Sequence, residues 1–166
     1  MRQKLPRIAK VVPIAPAALR ITWRGSRPTD TVDLRGWIAT GGKSLAPLAN
    51  ETTFMTADVA EYGSAVAWVG SDDLMIDAVH LRALADEQGP FDAAAWQAVV
   101  RLSNQEAAEL LGISLSTWNS YKAGSKDKVP LPVAIACRAA QRDPIILQAH
   151  YRPRKVGRPR KEAHGG

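Results

Sequence analysis

The segment 103–124 constrains the fold most, because the start and the end of its helices are visible in the sequence. Ser103 and Glu106 have the spacing of a capping box, in which each side chain accepts a hydrogen bond from the other residue's backbone N–H. The helix that they start should end at Gly112, because glycine adopts the left-handed conformation that terminates a helix at no steric cost. The segment therefore predicts two short helices separated by a glycine turn.

The second helix of this segment should begin soon after the glycine. Either Ser114 or Ser116 can cap its first turn, and residues 123–124 should end it. Ala108 lies four positions before the glycine, where the second helix has to cross the first and a small side chain is needed. The apolar side chains that hold the pair together should be Ala107, Leu111, Ile113, Trp118 and Tyr121. A helix capped by Asp92 should precede the pair, with an apolar face made of Ala93, Ala94, Trp96, Val99 and Val100.

This spacing of Gly112, Ala108 and the apolar positions resembles the helix-turn-helix of the lambda-repressor/Cro family, also called the xenobiotic-response-element family. The resemblance covers about residues 91–147. Residues 121–124 resemble that family's aromatic-x-x-Gly ending, and 129–138 resemble its following bundle helix. The resemblance implies that the second helix enters the major groove of DNA. A helical hairpin inside an unrelated bundle is the alternative.

The resemblance also assigns contacts with DNA. The side chains that face base edges should be Ser114, Leu115, Ser116, Asn119 and Ser120. An asparagine can pair with adenine through two hydrogen bonds and a leucine can meet a thymine methyl, whereas no outward arginine is available to read guanine. The predicted phosphate contacts are Asn104, Gln105, Thr117, Lys122, Lys126 and Lys128. Asn104 stands where the family often has a glutamine that contacts a phosphate.

The positive charge of the chain is confined to its C-terminal half. Residues 1–90 hold ten Lys and Arg against ten Asp and Glu, whereas residues 91–166 hold twelve against six, so the whole formal charge of +6 lies there. Six of these cations fall in 152–166, which has no apolar periodicity and is predicted to be disordered when free. A localised cationic segment attracts nucleic acid by releasing its counterions, although a solubilising tail is the alternative.

The tail contains a Gly-Arg-Pro core flanked by cations, which resembles an AT-hook. The residues that would enter a minor groove are Gly157, Arg158, Pro159 and Arg160. Glycine leaves room at the groove floor, proline keeps the backbone extended, and arginine suits the narrow groove of A·T tracts. Val156 departs from the hook, which usually has an arginine there, so a nonspecific basic tail remains the other interpretation.

The N-terminal half has the patterns of a small α+β domain. Residues 19–24 alternate apolar and polar side chains, as a half-buried strand does, and 29–34 should be the hairpin partner across the turn 25–28. Residues 64–69 should be a further strand and 81–87 a helix. Residues 32–34, Phe54, 62–63, 66–68 and 72–77 resemble an uncharacterised bacterial family, a domain of unknown function of the 2442 series. That family has no assigned activity, so the resemblance implies a fold only.

No catalytic, cofactor or metal site is predicted. The acidic residues Asp72, Asp73 and Asp77 have the positions of turn and cap residues, and His80, His150 and His164 lack the spacing of metal ligands. The single cysteine, Cys137, should be a buried packing residue, and the five tryptophans should be core residues.

The sequence as a whole predicts an α+β chain with a basic arm over 1–9, an α+β domain over 10–88, a helix-turn-helix domain over 91–149 and a basic tail over 152–166. The predicted function is that of a cytoplasmic transcriptional regulator, a repressor or antitoxin-like autoregulator, that binds double-stranded DNA as a homodimer. An unknown protein or ligand could bind the N-terminal domain, and no membrane association or enzyme activity is expected. The alternative is a protein–protein adaptor whose basic tail binds nucleic acid nonspecifically.

Overall fold

The chain has an α+β fold, which confirms the predicted fold class. The computed structural model describes residues 4–25, 27–124 and 129–154. It divides into two compact units, Met1–Gly89 and Pro90–Gly166, each with its own apolar core.

The first unit contains two antiparallel sheets of three strands each. The strands of the first sheet, in spatial order, are β1 (Ile8–Ile14), β2 (Ala18–Trp23) and β3 (Asp30–Asp33). Those of the second sheet are β4 (Asp58–Ala60), β5 (Ala65–Ala67) and β6 (Met75–Asp77). The helices of this unit are α1 (Arg35–Thr40), α2 (Gly42–Leu45), α3 (Glu51–Phe54) and α4 (Ala78–Gln88), with 3-10 turns at Ala46–Ala49 and Glu61–Gly63.

The first hairpin forms as its sequence pattern predicts. Leu19, Ile21 and Trp23 alternate along β2 and are all buried, because successive side chains of a strand point to opposite faces. β2 pairs with β3 in antiparallel register, and the Trp23 indole donates a hydrogen bond of 2.6 Å to Asp30 Oδ2 across this hairpin.

The predicted basic arm over residues 1–9 is too long. Ile8 already belongs to β1, where it lies opposite Trp23 and is fully buried. The backbone N–H of Arg24 bonds the carbonyl of Arg7 at 2.8 Å, which extends this pairing. Gly63 packs against the same residue: its φ is +88°, and an added Cβ would lie 2.5 Å from the Ile8 carbonyl oxygen. The apolar Ile8 therefore joins the core and Arg7 extends the pairing of β1 with β2, so the predicted arm cannot reach residue 9.

One member of the acidic cluster caps a helix, as predicted. Asp77 Oδ1 accepts a hydrogen bond of 2.8 Å from the backbone N–H of His80 at the start of α4. Asp72 and Asp73 lie in the turn between β5 and β6. Within the described residues, no group of three or more His, Cys, Asp or Glu is arranged to hold a metal ion.

The second unit consists of helices in its described part. They are α5 (Ala93–Val100), α6 (Asn104–Leu111), α7 (Leu115–Lys122), α8 (Leu131–Arg142) and α9 (Pro144–His150). Trp96 and Cys137 lie at the centre of their core, and the Trp96 indole donates a hydrogen bond of 2.6 Å to the Cys137 carbonyl. Burial raises the pKa of the Cys137 thiol to about 12, so this cysteine is protonated at neutral pH. No helix in the described parts of the chain is long and apolar enough to cross a membrane.

The apolar face predicted for α5 is partly wrong. Ala93 and Trp96 are buried and Val100 packs against them, but Val99 is 61% exposed and Ala94 is also exposed. At 100° per residue, Ala94 and Val99 lie on the two flanks of the helix. A helix of only eight residues buries a single narrow stripe in this core.

Candidate nucleic-acid interface

The turn between α6 and α7 has the local geometry that the sequence predicts. Ser103 Oγ accepts a hydrogen bond of 3.2 Å from Glu106 N, and Glu106 Oε2 accepts one of 2.9 Å from Ser103 N, which completes the capping box. Gly112 ends α6 with a φ of +67°, in the left-handed region. The chain therefore leaves α6 at Gly112 and starts α7 after Ser114.

The start of α7 decides between the two candidate caps. Ser114 caps the helix, because its Oγ accepts a hydrogen bond of 3.0 Å from Thr117 N. The same Oγ lies 2.8 Å from the Thr117 hydroxyl, so these two side chains are partners of each other. Ser116 is thereby left exposed on the first turn.

The packing of α7 on α6 depends on small residues. Ala107 and Ala108 are fully buried, as is Trp118, the largest side chain with no exposed surface. The Trp118 ring meets the Trp96 ring edge to face, with centroids 5.6 Å apart and an interplanar angle of 76°. The remaining members of the predicted apolar set are partly buried against this core: Leu111, Ile113 and Tyr121. The large indole of α7 thus occupies the space that the two alanines leave free.

The opposite side of α7 is an open face of short side chains, which we call the α7 face. It is lined by Leu115, Ser116, Asn119, Ser120 and Ala123, around an open concavity of about 520 Å³. Leu115, Ser116 and Asn119 are exposed, whereas Ser120 is half-buried and its hydroxyl donates to the Ser116 carbonyl at 3.1 Å. Four of the five predicted base-contact residues lie on this face. The fifth, Ser114, is exposed but is not among the residues that line this face, and its hydroxyl caps the helix.

A chain of polar side chains ties α5, α6 and α7 together beside this face. The Trp118 indole N–H donates to Gln97 Oε1 at 2.8 Å. Gln97 Nε2 donates to the Leu102 carbonyl at 2.9 Å and to Asn104 Oδ1 at 3.0 Å. Lys122 Nζ, from the last turn of α7, donates to the same Asn104 Oδ1 at 2.7 Å. We call Trp118, Gln97, Asn104 and Lys122 the amide chain.

The predicted phosphate contacts therefore occupy different situations. Asn104 is exposed and bonded to Lys122, while Gln105 is half-buried and its amide donates to Glu109 Oε1 at 3.0 Å. Thr117 is half-buried and shares its hydroxyl with the helix cap. The other predicted nucleic-acid contacts lie outside the described residues: Lys126, Lys128, Gly157, Arg158, Pro159 and Arg160.

The start of the predicted tail is ordered against α6, contrary to the expected disorder from residue 152. Tyr151 OH donates to Glu106 Oε1 at 3.0 Å, and the backbone N–H of Arg154 donates to the same oxygen at 3.2 Å. The Arg154 guanidinium lies 3.6 Å from Glu109 Oε1. Backbone hydrogen bonds from Ser103 and Arg154 lower the pKa of Glu106 to about 2, and the hydrogen bond to Glu106 raises the pKa of Tyr151. The charged α6 carboxylates therefore hold residues up to 154.

Sequence reasoning missed two of these residues, Gln97 and Tyr151. The acceptors of Gln97 and its indole donor lie 5, 7 and 21 positions away, and Tyr151 lies 45 positions from Glu106. These partners lie on different helices or in the connections between helices, so no local signal marks them.

The first unit has a separate open depression of about 1100 Å³. Its residues include Asp33, Arg35, Trp37, His80 and Gln88. Trp37 is half-buried, stacks on Trp68 with centroids 6.0 Å apart, and meets the edge of the His80 ring at 6.2 Å. The carboxylate of Asp33 pairs with the Arg35 guanidinium, which lowers the pKa of Asp33.

Comparison with known proteins gives little beyond this geometry. No protein-family model matches the chain, and no curated protein matches it. One crystal structure, of a Nitrosomonas europaea protein to which DNA binding is provisionally assigned, is 26% identical over 94% of this chain and 99% of that one, with a TM-score of 0.48. A TM-score this low does not establish a shared fold, so the function has to be inferred from α5, α6 and α7 themselves.

Proposed function

We propose that this chain is a sequence-specific DNA-binding protein that places α7 in the major groove and regulates transcription, as a repressor or an antitoxin-like autoregulator. One observation carries the proposal: α7 is anchored on one side by the buried Trp118 and presents short, mostly polar side chains on the other. A helix about 10–12 Å across fits the roughly 12 Å major groove. Short side chains on the outer face let the helix backbone approach the base edges closely.

The chemistry of the α7 face suits moderate base readout. Asn119 is exposed at its centre and can donate to and accept from one adenine. Leu115, 39% exposed at the first turn, can meet a thymine methyl. Ser116 is permissive, since a hydroxyl both donates and accepts. The preferred site should therefore be richer in A·T than in G·C pairs at the contacted positions.

Affinity would then come largely from the phosphate backbone. The formal charge of +6 belongs to residues 91–166, the same part of the chain that contains α7. Lys122 stands at the end of α7 with a neutral amide oxygen as its bonding partner, so that contact leaves its charge uncompensated. Such contacts supply affinity and orientation without reading sequence.

We further propose that the chain acts as a homodimer in the cytoplasm, bound to the nucleoid. A single helix of this size reads only a few base pairs, and a twofold dimer doubles the site into a palindrome with half-sites about one helical turn apart. A protein or small molecule bound by the first unit could set the sign of the response. The chain carries no catalytic role in this proposal.

The test is selection of duplexes from a random pool by the full-length chain, followed by sequencing of the bound fraction. A recovered palindrome with A·T-rich half-sites is the expected result. Asn119→Ala is compared with Gln148→Ala, the matched control at an exposed amide side chain of α9. Only Asn119→Ala should alter the motif. Retention of duplexes at low salt without any motif would instead favour the adaptor whose cations bind nucleic acid nonspecifically. A chain that retains no duplex would refute both.

A further inference from the structure

The groups that flank the two amides of the amide chain determine how each amide is oriented. An indole N–H only donates, a backbone carbonyl only accepts, and a lysine ammonium only donates. Gln97 must therefore turn Oε1 to Trp118 and Nε2 to the Leu102 carbonyl, as it does at 2.8 and 2.9 Å. The usual ambiguity between the oxygen and nitrogen of an amide does not arise here.

The same reasoning determines which way Asn104 faces. Two donors converge on one of its atoms, Gln97 Nε2 at 3.0 Å and Lys122 Nζ at 2.7 Å, and both require an oxygen. The opposite orientation would place the Asn104 NH₂ group against an ammonium and a second NH₂ group. Its NH₂ group is therefore held on the side away from both partners, at an exposed position.

We infer that Gln97 is a positioning residue that presents the Asn104 NH₂ group, together with the Lys122 ammonium, to one DNA phosphate. This inference rests on the proposed function. Asn104 uses its oxygen for the protein and keeps two N–H donors, and Lys122 uses one of its three N–H groups on Asn104. A phosphate oxygen accepts such hydrogen bonds and attracts the charge of the ammonium.

The hydrogen bond from the Trp118 indole connects Gln97 to α7, in addition to its bond to Asn104. Trp118 anchors α7 in the core, and Gln97 bonds its indole and the Asn104 amide at the same time. One side chain therefore sets the position of the phosphate contact relative to the helix proposed to read bases. Gln97 itself lies on α5, half-buried, and is not part of the α7 face.

The test is a double-variant cycle on DNA affinity, measured with the full-length chain and a labelled duplex from the selection. Gln97→Met and Asn104→Ala should each lower the affinity roughly ten- to hundredfold, the usual size for a hydrogen bond to a charged group. If Gln97 acts through Asn104, the double variant should bind no more weakly than Asn104→Ala alone. The sequence preference should not change, because phosphates carry none. Gln148→Met on exposed α9 is the isosteric control and should bind as wild type does.

A second variant protects the test against simple loss of folding. Gln97→Glu keeps an oxygen for the Trp118 indole but offers Asn104 an acceptor, which should turn the asparagine oxygen toward the DNA. Affinity should then fall further than in Gln97→Met, because the new carboxylate also repels the phosphate. Tolerance of Gln97→Glu, or additive losses of Gln97→Met and Asn104→Ala, would overturn the positioning role while leaving DNA binding intact. A wild-type chain that binds no duplex would overturn the proposed function as well.

Discussion

The hydroxyl of Tyr151 donates a hydrogen bond of 3.0 Å to Glu106 Oε1, so the end of α9 is bonded to the first turn of α6. Glu106 uses its other oxygen for the capping box. The Glu106 carboxylate thereby stabilises the start of α6 and also holds the segment that leads into the basic tail. Removal of this contact should loosen the segment 152–154 before it affects α7.

Tyr151→Phe tests that contact directly. The variant loses the hydroxyl donor but keeps the ring, so we expect faster tryptic cleavage after Arg154 and little change in the unfolding of the helical core. Tyr62→Phe is the matched control, because the Tyr62 side chain is 92% exposed. Equal cleavage rates for wild type and Tyr151→Phe would mean that the hydroxyl does not hold the segment.

The free energy of unfolding of the second unit should depend on pH through the ionisation of Glu106. Its pKa is lowered from 4.5 to about 2 in the folded chain, so its ionisation favours folding. That contribution is fully present above pH 4.5 and is lost as the pH falls toward 2. Glu106→Gln should therefore have a lower free energy of unfolding than wild type at neutral pH, and this difference should become smaller below pH 4.5. Urea unfolding followed by tryptophan fluorescence at several pH values measures the difference. A difference independent of pH would contradict the lowered pKa of Glu106.

Ala108→Leu should destabilise the second unit by roughly 1–3 kcal/mol through overpacking. Ala108 has no exposed surface and lies in the core with Trp118, so a larger side chain must force α6 and α7 apart. Ala136→Leu, at an exposed position of α8, is the control and should change the free energy of unfolding little. The measurement is chemical unfolding of both variants, and equal stability would show that α7 does not pack over Ala108.

Asn119→Ala should reduce the discrimination between base pairs at one position by about 1–3 kcal/mol. Ser120→Ala should have less effect, because the Ser120 hydroxyl is half-buried and already bonded within α7. Competition between the selected duplex and single-pair variants of it measures this discrimination. An unchanged preference in Asn119→Ala would mean that the centre of the α7 face does not read bases.

Removal of residues 155–166 distinguishes the contribution of the tail to DNA binding from that of the α7 face. The cut belongs after Arg154 rather than before Arg152, because residues up to 154 contact α6. The deleted segment holds four cations, so the slope of log affinity against log salt should shrink by up to about 0.9 for each phosphate lost. The core motif should survive, while any preference for A·T-rich flanks should vanish, with Arg158→Ala accounting for most of that loss. A salt slope that does not change after truncation would show that the tail does not touch DNA.

The sequence alone determined the features that depend on residues no more than five positions apart. The capping box of Ser103 and Glu106, the left-handed Gly112 and the alternation along β2 are all local, because their hydrogen bonds or side-chain directions repeat within one turn or one pleat. They determine the boundaries of α6 and the facing of the side chains along β2 without any tertiary contact.

Tertiary structure decided which of several equivalent side chains are used. Val99 is as apolar as Val100, yet the direction of the α5 stripe leaves it in solvent. The amide orientation of Asn104 depends on Gln97 and Lys122, which packing brings together from 7 and 18 positions away. A hydrogen bond needs its two atoms at a fixed distance, and for residues this far apart that distance exists only once α5, α6 and α7 have packed around Trp118.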